Sequence, residues 1–202
     1  MTPEFLLTSL IVVASPGTGA IFTLAAGLSH GSRAAVLAAF ACTLGTLPHM
    51  LAAITGLAAL LHTSAVAFDL IKYLGVGYLL YMALQTLRED GPLQITATAP
   101  ARPMRVIGQG VLINVLNPKL SIFFFAFLPQ FVTPADTAPL RQMITLSLVF
   151  VAMTFVILAL YGIFAAQVRH HIVGHPAVII WMRRSFAAAF VALGAKLALA
   201  RV

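Results

Sequence analysis

An all-α integral membrane fold of six transmembrane helices, arranged as two inverted three-helix repeats, is predicted by three observations. Hydrophobic residues make up 61% of the 202 and charged residues only 8%, with a mean hydropathy of +1.02, where soluble domains carry roughly 25% charged residues. Uncharged stretches repeatedly reach the roughly 20 residues that cross a hydrocarbon core. A Pro-rich, polar interval at 88–105 divides the chain into halves, 1–87 and 106–202, each with room for three such stretches. The whole chain, 1–202, therefore reads as one transmembrane domain with no room for a soluble one.

The first segment is expected at 4–29, because no charge occurs between Phe5 and Ser32. Its start, Met1-Thr2-Pro3-Glu4, lacks the basic residues of a signal peptide, so it is expected to be retained. The second, 34–61, follows Arg33 and stays uncharged as far as Asp69. The third, 66–87, opens with Asp69 and Lys72, whose i to i+3 spacing puts them on one helix face where they can pair. An interfacial ion pair with a snorkelling Lys72 is the plainer reading of these two; a part in proton coupling is the other. After the linker come segments at 106–131, 141–167 and 177–200, punctuated by Pro134, Pro139 and Pro176. No strand alternation competes with these assignments.

The formal net charge of +7 does not point to nucleic acid, because the basic residues are scattered rather than clustered. Their placement reads instead as topology. Arg33, Arg88, Arg102, Arg105, Arg169, Arg183 and Arg184 fall in odd-numbered gaps, against Arg141, Arg201, Lys72 and Lys196 on the other side. By the positive-inside rule the odd gaps face the cytoplasm and both termini lie outside, in a multi-pass protein of the inner (cytoplasmic) membrane. Cys42 is the sole cysteine, so no intrachain disulfide can form, and its apolar setting suits core packing.

Two of the segments carry breaks. The first contains Ser15-Pro16-Gly17-Thr18-Gly19 and the fourth contains Asn117-Pro118-Lys119, with each proline about 12 residues from its segment start, or about 18 Å into the bilayer core. Proline donates no backbone hydrogen bond, so Pro16 and Pro118 should free the carbonyls of Val12 and Asn114, each of which then needs a partner. With three segments per half, the fourth enters from the side opposite the first, and the breaks face each other near the midplane as in transporter sites. Half-helix N-termini suit an anionic group such as a carboxylate, and freed carbonyls suit an ammonium. An amino acid offers both. Harmless kinks are the plainer alternative.

Lys119 is the most informative single residue, since a cation near the bilayer centre is costly and marks function. Snorkelling or pairing only with backbone is the alternative. Asn114, Asn117 and Gln130 share its segment and can satisfy it or a ligand. His49, beside Pro48, is a plausible proton carrier or a hydrogen-bonded packing residue. The candidate substrate-binding residues are therefore Ser15, Pro16, Gly17, Asn114, Asn117, Pro118, Lys119 and Gln130, and the candidate proton-coupling residues are His49, Asp69 and Lys72. Gly27 and Gly31, Gly75 to Gly77, and Gly108 and Gly110 read as helix-packing positions. The run Phe123-Phe124-Phe125 with Phe127 and Phe131 reads as packing or lipid contact.

The stretch Gly110-Val111-Leu112-Ile113-Asn114-Val115-Leu116-Asn117-Pro118-Lys119, continuing through Phe123-Phe124 to Phe127-Leu128-Pro129-Gln130-Phe131, resembles the fourth-helix signature of the LysE/RhtB amino-acid exporters. Pro16-Gly17, Gly45 with His49, Gly56-Leu57, Lys72-Tyr73-Leu74-Gly75 and Tyr78-Leu79-Leu80-Tyr81 are similar to that family as well. The resemblance covers the first four segments and implies export of amino acids or their derivatives, by exchange with protons. Two positions depart: the family usually has proline at the position of Thr18 and commonly glycine at that of Ala83.

Other classes fit less well. An intramembrane enzyme needs a nucleophile with a base, or a metal with carboxylates, and the chain has no His-Glu-x-x-His, no Gly-x-Ser-x-Gly and no paired intramembrane carboxylates. A metal-ion exporter of related architecture is the alternative function, which would require the six histidines, among them His170, His171 and His175, to converge. A packing scaffold would leave Lys119 without a purpose. No cofactor or bound metal is called for. The expected partners are a small amino-acid-like solute, protons and the lipid bilayer, with a homodimer unsurprising and nucleic acid excluded.

Overall fold

The computed structural model describes residues 2–15, 17–60, 102–132 and 139–172, together with single helical positions between 70 and 88 and between 184 and 199. The described residues are helical, with no strand among them. The elements are α1 (Pro3–Ala14), α2 (Thr18–His30), α3 (Ser32–Leu44), α4 (Leu47–Leu60), α5 (Pro103–Val115), α6 (Pro118–Ile122) and α7 (Pro139–Ile172). A wide π turn at Phe123–Phe127 and a 3₁₀ turn at Leu128–Phe131 prolong α6.

Local chemistry explains where these helices start. Proline stands at the first position of α1, α5, α6 and α7, where a missing N–H costs nothing and the fixed φ favours the first turn. Thr2 caps α1 by accepting from the Phe5 amide at 3.3 Å, and Glu4 complements the positive end of the dipole. Gly31 alone joins α2 to α3, and its φ of +83° is one that other residues rarely adopt.

The first segment is α1 plus α2, bent by 58°, and the fourth runs from α5 through α6 to Phe131, bent by 49°. Residues 32–56 and 139–168 are each long and apolar enough to cross a membrane unbroken. Counting each bent pair as one span gives four among the described residues. The second segment, expected as one helix, carries a tight turn at Gly45–Thr46 between α3 and α4.

The surface carries large apolar side chains, and several polar ones lie inside. Leu7, Leu112, Leu116, Leu148 and Leu160 are exposed, while Thr8, Ser9, Thr23, Thr46, Asn114, Lys119, Ser147 and Thr154 are buried. Buried threonines satisfy their hydroxyls on the preceding turn, as Thr23 does on Gly19 O at 2.9 Å and Thr43 on Ala39 O at 2.8 Å. Such a surface suits lipid, which cannot hydrogen-bond to polar side chains.

The long helix α7 packs along α2 and α3, and α3 also lies against α5. Small residues permit this. A Cβ on Gly27 would overlap the carbonyl oxygen of Gly162, and one on Gly162 would lie 2.5 Å from the Cβ of Ala35. Gly110 meets Ala41 in the same way, whereas Gly31 serves the turn, and Gly77 and Gly108 have nothing within 4 Å. The phenylalanine run is largely core: Phe123 stacks on Phe150 with centroids 3.9 Å apart, and Phe124 meets the same ring edge-on. Ala83, at the position where the resembled family commonly has glycine, is buried in this cluster.

Gly27→Ala and Gly162→Ala are expected to destabilise the protein by about 1–3 kcal/mol each through overpacking. Gly108→Ala, in open space, should leave the melting temperature in detergent unchanged or slightly raised.

Candidate functional site

The break in the first segment is an accounting of carbonyls. Ser15 closes α1 in an extended conformation, its amide bonded to Ile11 O at 3.0 Å. Position 16 is proline and donates nothing to Val12 O, which instead accepts from the Ser15 hydroxyl at 2.7 Å. Ala14 O accepts from the Tyr161 hydroxyl of α7 at 2.7 Å. Ser15 O accepts from Lys119 Nζ at 3.1 Å, and Ser15 Oγ lies 3.3 Å from the same ammonium. Gly17 then starts α2 in an extended conformation without a side-chain cap.

The break in the fourth segment follows the same logic. Asn117 caps α6, its Oδ1 accepting from the Lys119 amide at 3.1 Å, and Pro118 takes the first helical position. Asn114 O, deprived of a donor by Pro118, accepts from His49 Nε2 at 2.9 Å as well as from the Asn117 amide. Because that carbonyl only accepts, Nε2 carries the proton, and in the neutral ring Nδ1 accepts from Ser121 Oγ at 3.0 Å. His49 thus ties together the helix halves on either side of Pro118. Both carbonyls singled out from the sequence have found partners, one local and one from another helix.

Asn114 links this break to the turn between α3 and α4. The Thr46 amide turns to Thr43 O, leaving Cys42 O for the Thr46 hydroxyl and for Asn114 Nδ2 at 2.6 Å. Asn117 Nδ2 reaches Asn114 Oδ1 at 3.4 Å. Glycines make room: a Cβ on Gly17 would lie 2.8 Å from Lys119 Nζ, one on Gly19 would lie 2.7 Å from Asn114 Oδ1, and one on Gly45 would lie 2.6 Å from Val111 O.

Lys119 is 8% exposed, has three donors, and among the described residues has no carboxylate partner. A cavity of about 20 Å³, room for about one water molecule, lies beside it, lined by Val12, Gly19, Asn114, Asn117, Phe150 and Thr154 among others. The two breaks are closed on each other in this conformation.

Of the sequence candidates, Ser15, Gly17, Asn114, Asn117, Pro118, Lys119 and His49 converge. Gln130 does not; its amide donates to Ala126 O at 2.7 Å on its own helix, away from Lys119. Pro16, Asp69 and Lys72 lie outside the described residues, as does His175. Among the described residues no three His, Cys, Asp or Glu side chains form a group able to hold a metal. Sequence reasoning missed Tyr161, Ser121 and Thr154. Tyr161 stands out in its segment as a polar aromatic, a signal that was available; the pairing of Ser121 with His49 has no sequence signature.

Outward leucines, inward polar groups and two broken helices joined through a buried lysine define a helical membrane protein with a polar centre at its helix breaks. The chain belongs to the LysE type translocator family, whose model matches residues 10–201. It is 32% identical over 199 residues to an uncharacterized membrane protein of Vibrio cholerae, covering 98% of this chain and 96% of that one. It is 30% identical over 198 residues to a homoserine/homoserine lactone efflux protein of Salmonella typhimurium, covering 98% and 95%. A leucine efflux protein of an Enterobacter strain is 31% identical over 160 residues, 76% of each chain. No solved structure matches the chain.

Removing the Asn114 side chain leaves Cys42 O with the Thr46 hydroxyl alone and takes away the acceptor of Asn117 Nδ2. Asn114→Ala is expected to lower stability by about 1–3 kcal/mol, and Tyr161→Phe by about 0.5–1.5 kcal/mol, both read as melting temperature in detergent.

Proposed function

We propose that this protein exports amino acids or amino-acid derivatives across the cytoplasmic membrane in exchange for protons. The observation that carries the reading is Lys119: a buried ammonium that bridges both helix breaks and has only neutral acceptors as described partners. The α-carboxylate of a substrate is a stronger partner for it than a backbone carbonyl. The uncapped start of α2 at Gly17 adds the positive end of a helix dipole beside the same ammonium. The efflux names of two relatives agree with such a solute.

In this reading the complete chain has six spans in two inverted halves, with odd-numbered gaps cytoplasmic. Substrate binds where the first and fourth spans are broken, and rocking of one half against the other exposes the site to alternate sides. Asn117 and Ser15 hold Lys119 in place, and Asn114 and His49 brace the fourth-span break. His49 carries the coupling proton, with Asp69 and Lys72 as further candidates. Protonation puts a second N–H on the ring, and Ser121 must then accept where it donated before. The Nε2 bond to Asn114 O is kept in that change, and only the Ser121 bond reverses its direction.

Proteoliposomes preloaded with labelled amino acids provide the test. Efflux of at least one is expected to rise when the outside is made acid, and Lys119→Met should reduce it by roughly 30-fold or more, the cost of about 2 kcal/mol for an unpaired buried carboxylate. Unchanged efflux in that variant removes Lys119 from the mechanism. His49→Gln is expected to keep exchange of labelled for unlabelled substrate while losing the response to the imposed gradient.

A further inference from the structure

The cavity beside Lys119 has a second wall that the sequence reading did not mark. Phe150, Thr154 and Leu158 of α7 line it together with Lys119 and Asn117. Their spacing of four residues places them in a single stripe on one helix face. All three are at most 3% exposed. Phe150 and Leu158 offer only carbon, so Thr154 is the polar group of the stripe.

The hydroxyl of Thr154 spends its hydrogen on Phe150 O at 2.8 Å. Its oxygen retains lone pairs and can accept, but it has no hydrogen left to donate. No carboxylate lines this wall among the described residues.

We propose that the stripe Phe150–Thr154–Leu158 is the side-chain subsite of the transporter, selecting short, uncharged side chains and favouring those with a hydroxyl that donates to Thr154. This rests on the exporter reading above. A carboxylate held at Lys119 points the rest of the amino acid across the cavity toward α7, and there a second cation meets carbon and one neutral oxygen, with no counter-charge among the described residues. The cavity holds about one water in this conformation, so the side chain replaces that volume as the breaks part from α7.

Isosteric pairs test the assignment: threonine against valine, and homoserine against norvaline, each measured as efflux from proteoliposomes, with lysine as the cationic probe. Wild type should favour the hydroxylated member of each pair and leave lysine inside. Thr154→Val should move each ratio by about three- to tenfold toward the aliphatic member, the worth of one hydrogen bond, and Thr154→Ser should restore it. Leu158→Thr, one turn along, should move the ratio the other way, which keeps the test open if Thr154→Val is not recovered from membranes.

Ratios unchanged in both variants, or lysine efflux matching that of the neutral probes, would overturn the subsite while leaving the exporter intact. An equal loss for both members of each pair would also overturn it, by assigning Thr154 to the α-ammonium. Absence of efflux for every amino acid in wild type would overturn the exporter reading itself, and the subsite with it.

Discussion

A proline in the middle of a membrane helix leaves a carbonyl that water cannot reach, and the centre of this protein is organised around that constraint. An unsatisfied backbone group in hydrocarbon costs several kcal/mol, so each one must be met from within the fold. Val12 O takes the hydroxyl of its own helix, whereas Asn114 O draws in His49 from α4. Ala14 O and Ser15 O draw in Tyr161 and Lys119 from α7 and α6. Three of the four debts are settled between helices, so the breaks hold the bundle together as well as interrupting it.

Close approach makes those cross-helix bonds possible. Lys119 reaches Ser15 because Gly17 has no side chain where Nζ sits, and Asn114 reaches Cys42 because Gly19 and Gly45 leave space around it. The crossing of α2 on α7 at Gly27 and Gly162 brings the rest of that helix near the breaks. Behind them, Phe123, Phe124 and Phe150 form a stacked core that fixes α6 against α7. The π turn at Phe123–Phe127 directly follows the Pro118 break and turns these rings inward. Polar site and aromatic core are consecutive on one chain segment, so a movement of either is felt by the other.

Much of this was readable beforehand because membrane chemistry writes itself into composition. Uncharged stretches marked the segments, prolines marked the breaks, and a lone lysine in an apolar run marked the centre. The Val12 and Asn114 carbonyls followed from proline geometry alone. What could not be read was direction around a helix axis. Gln130 shares a segment with Lys119 but returns to Ala126, because the π and 3₁₀ turns change the residues per turn between them. Gly108 and Gly110 look alike in sequence, yet only Gly110 faces α3. Thr154 lies in an unbroken helix, where nothing local singles out the face that meets the breaks.

The neutrality of Lys119's described partners bears on how a carrier can release what it binds. Were the ammonium paired with an aspartate, a substrate carboxylate would have to displace a full charge of its own sign. Partnered by a carbonyl and a hydroxyl, the lysine is hydrogen-bonded when the site is empty, so closing without substrate leaves no bare cation in the hydrocarbon core. In the proposed exporter a substrate carboxylate at Lys119 would gain only the difference between a charge-assisted bond and an ordinary one. Binding of that size would suit the proposed site, which must let go on the far side, and it gives that proposal a physical reason for a lysine at one broken helix opposite backbone carbonyls at the other.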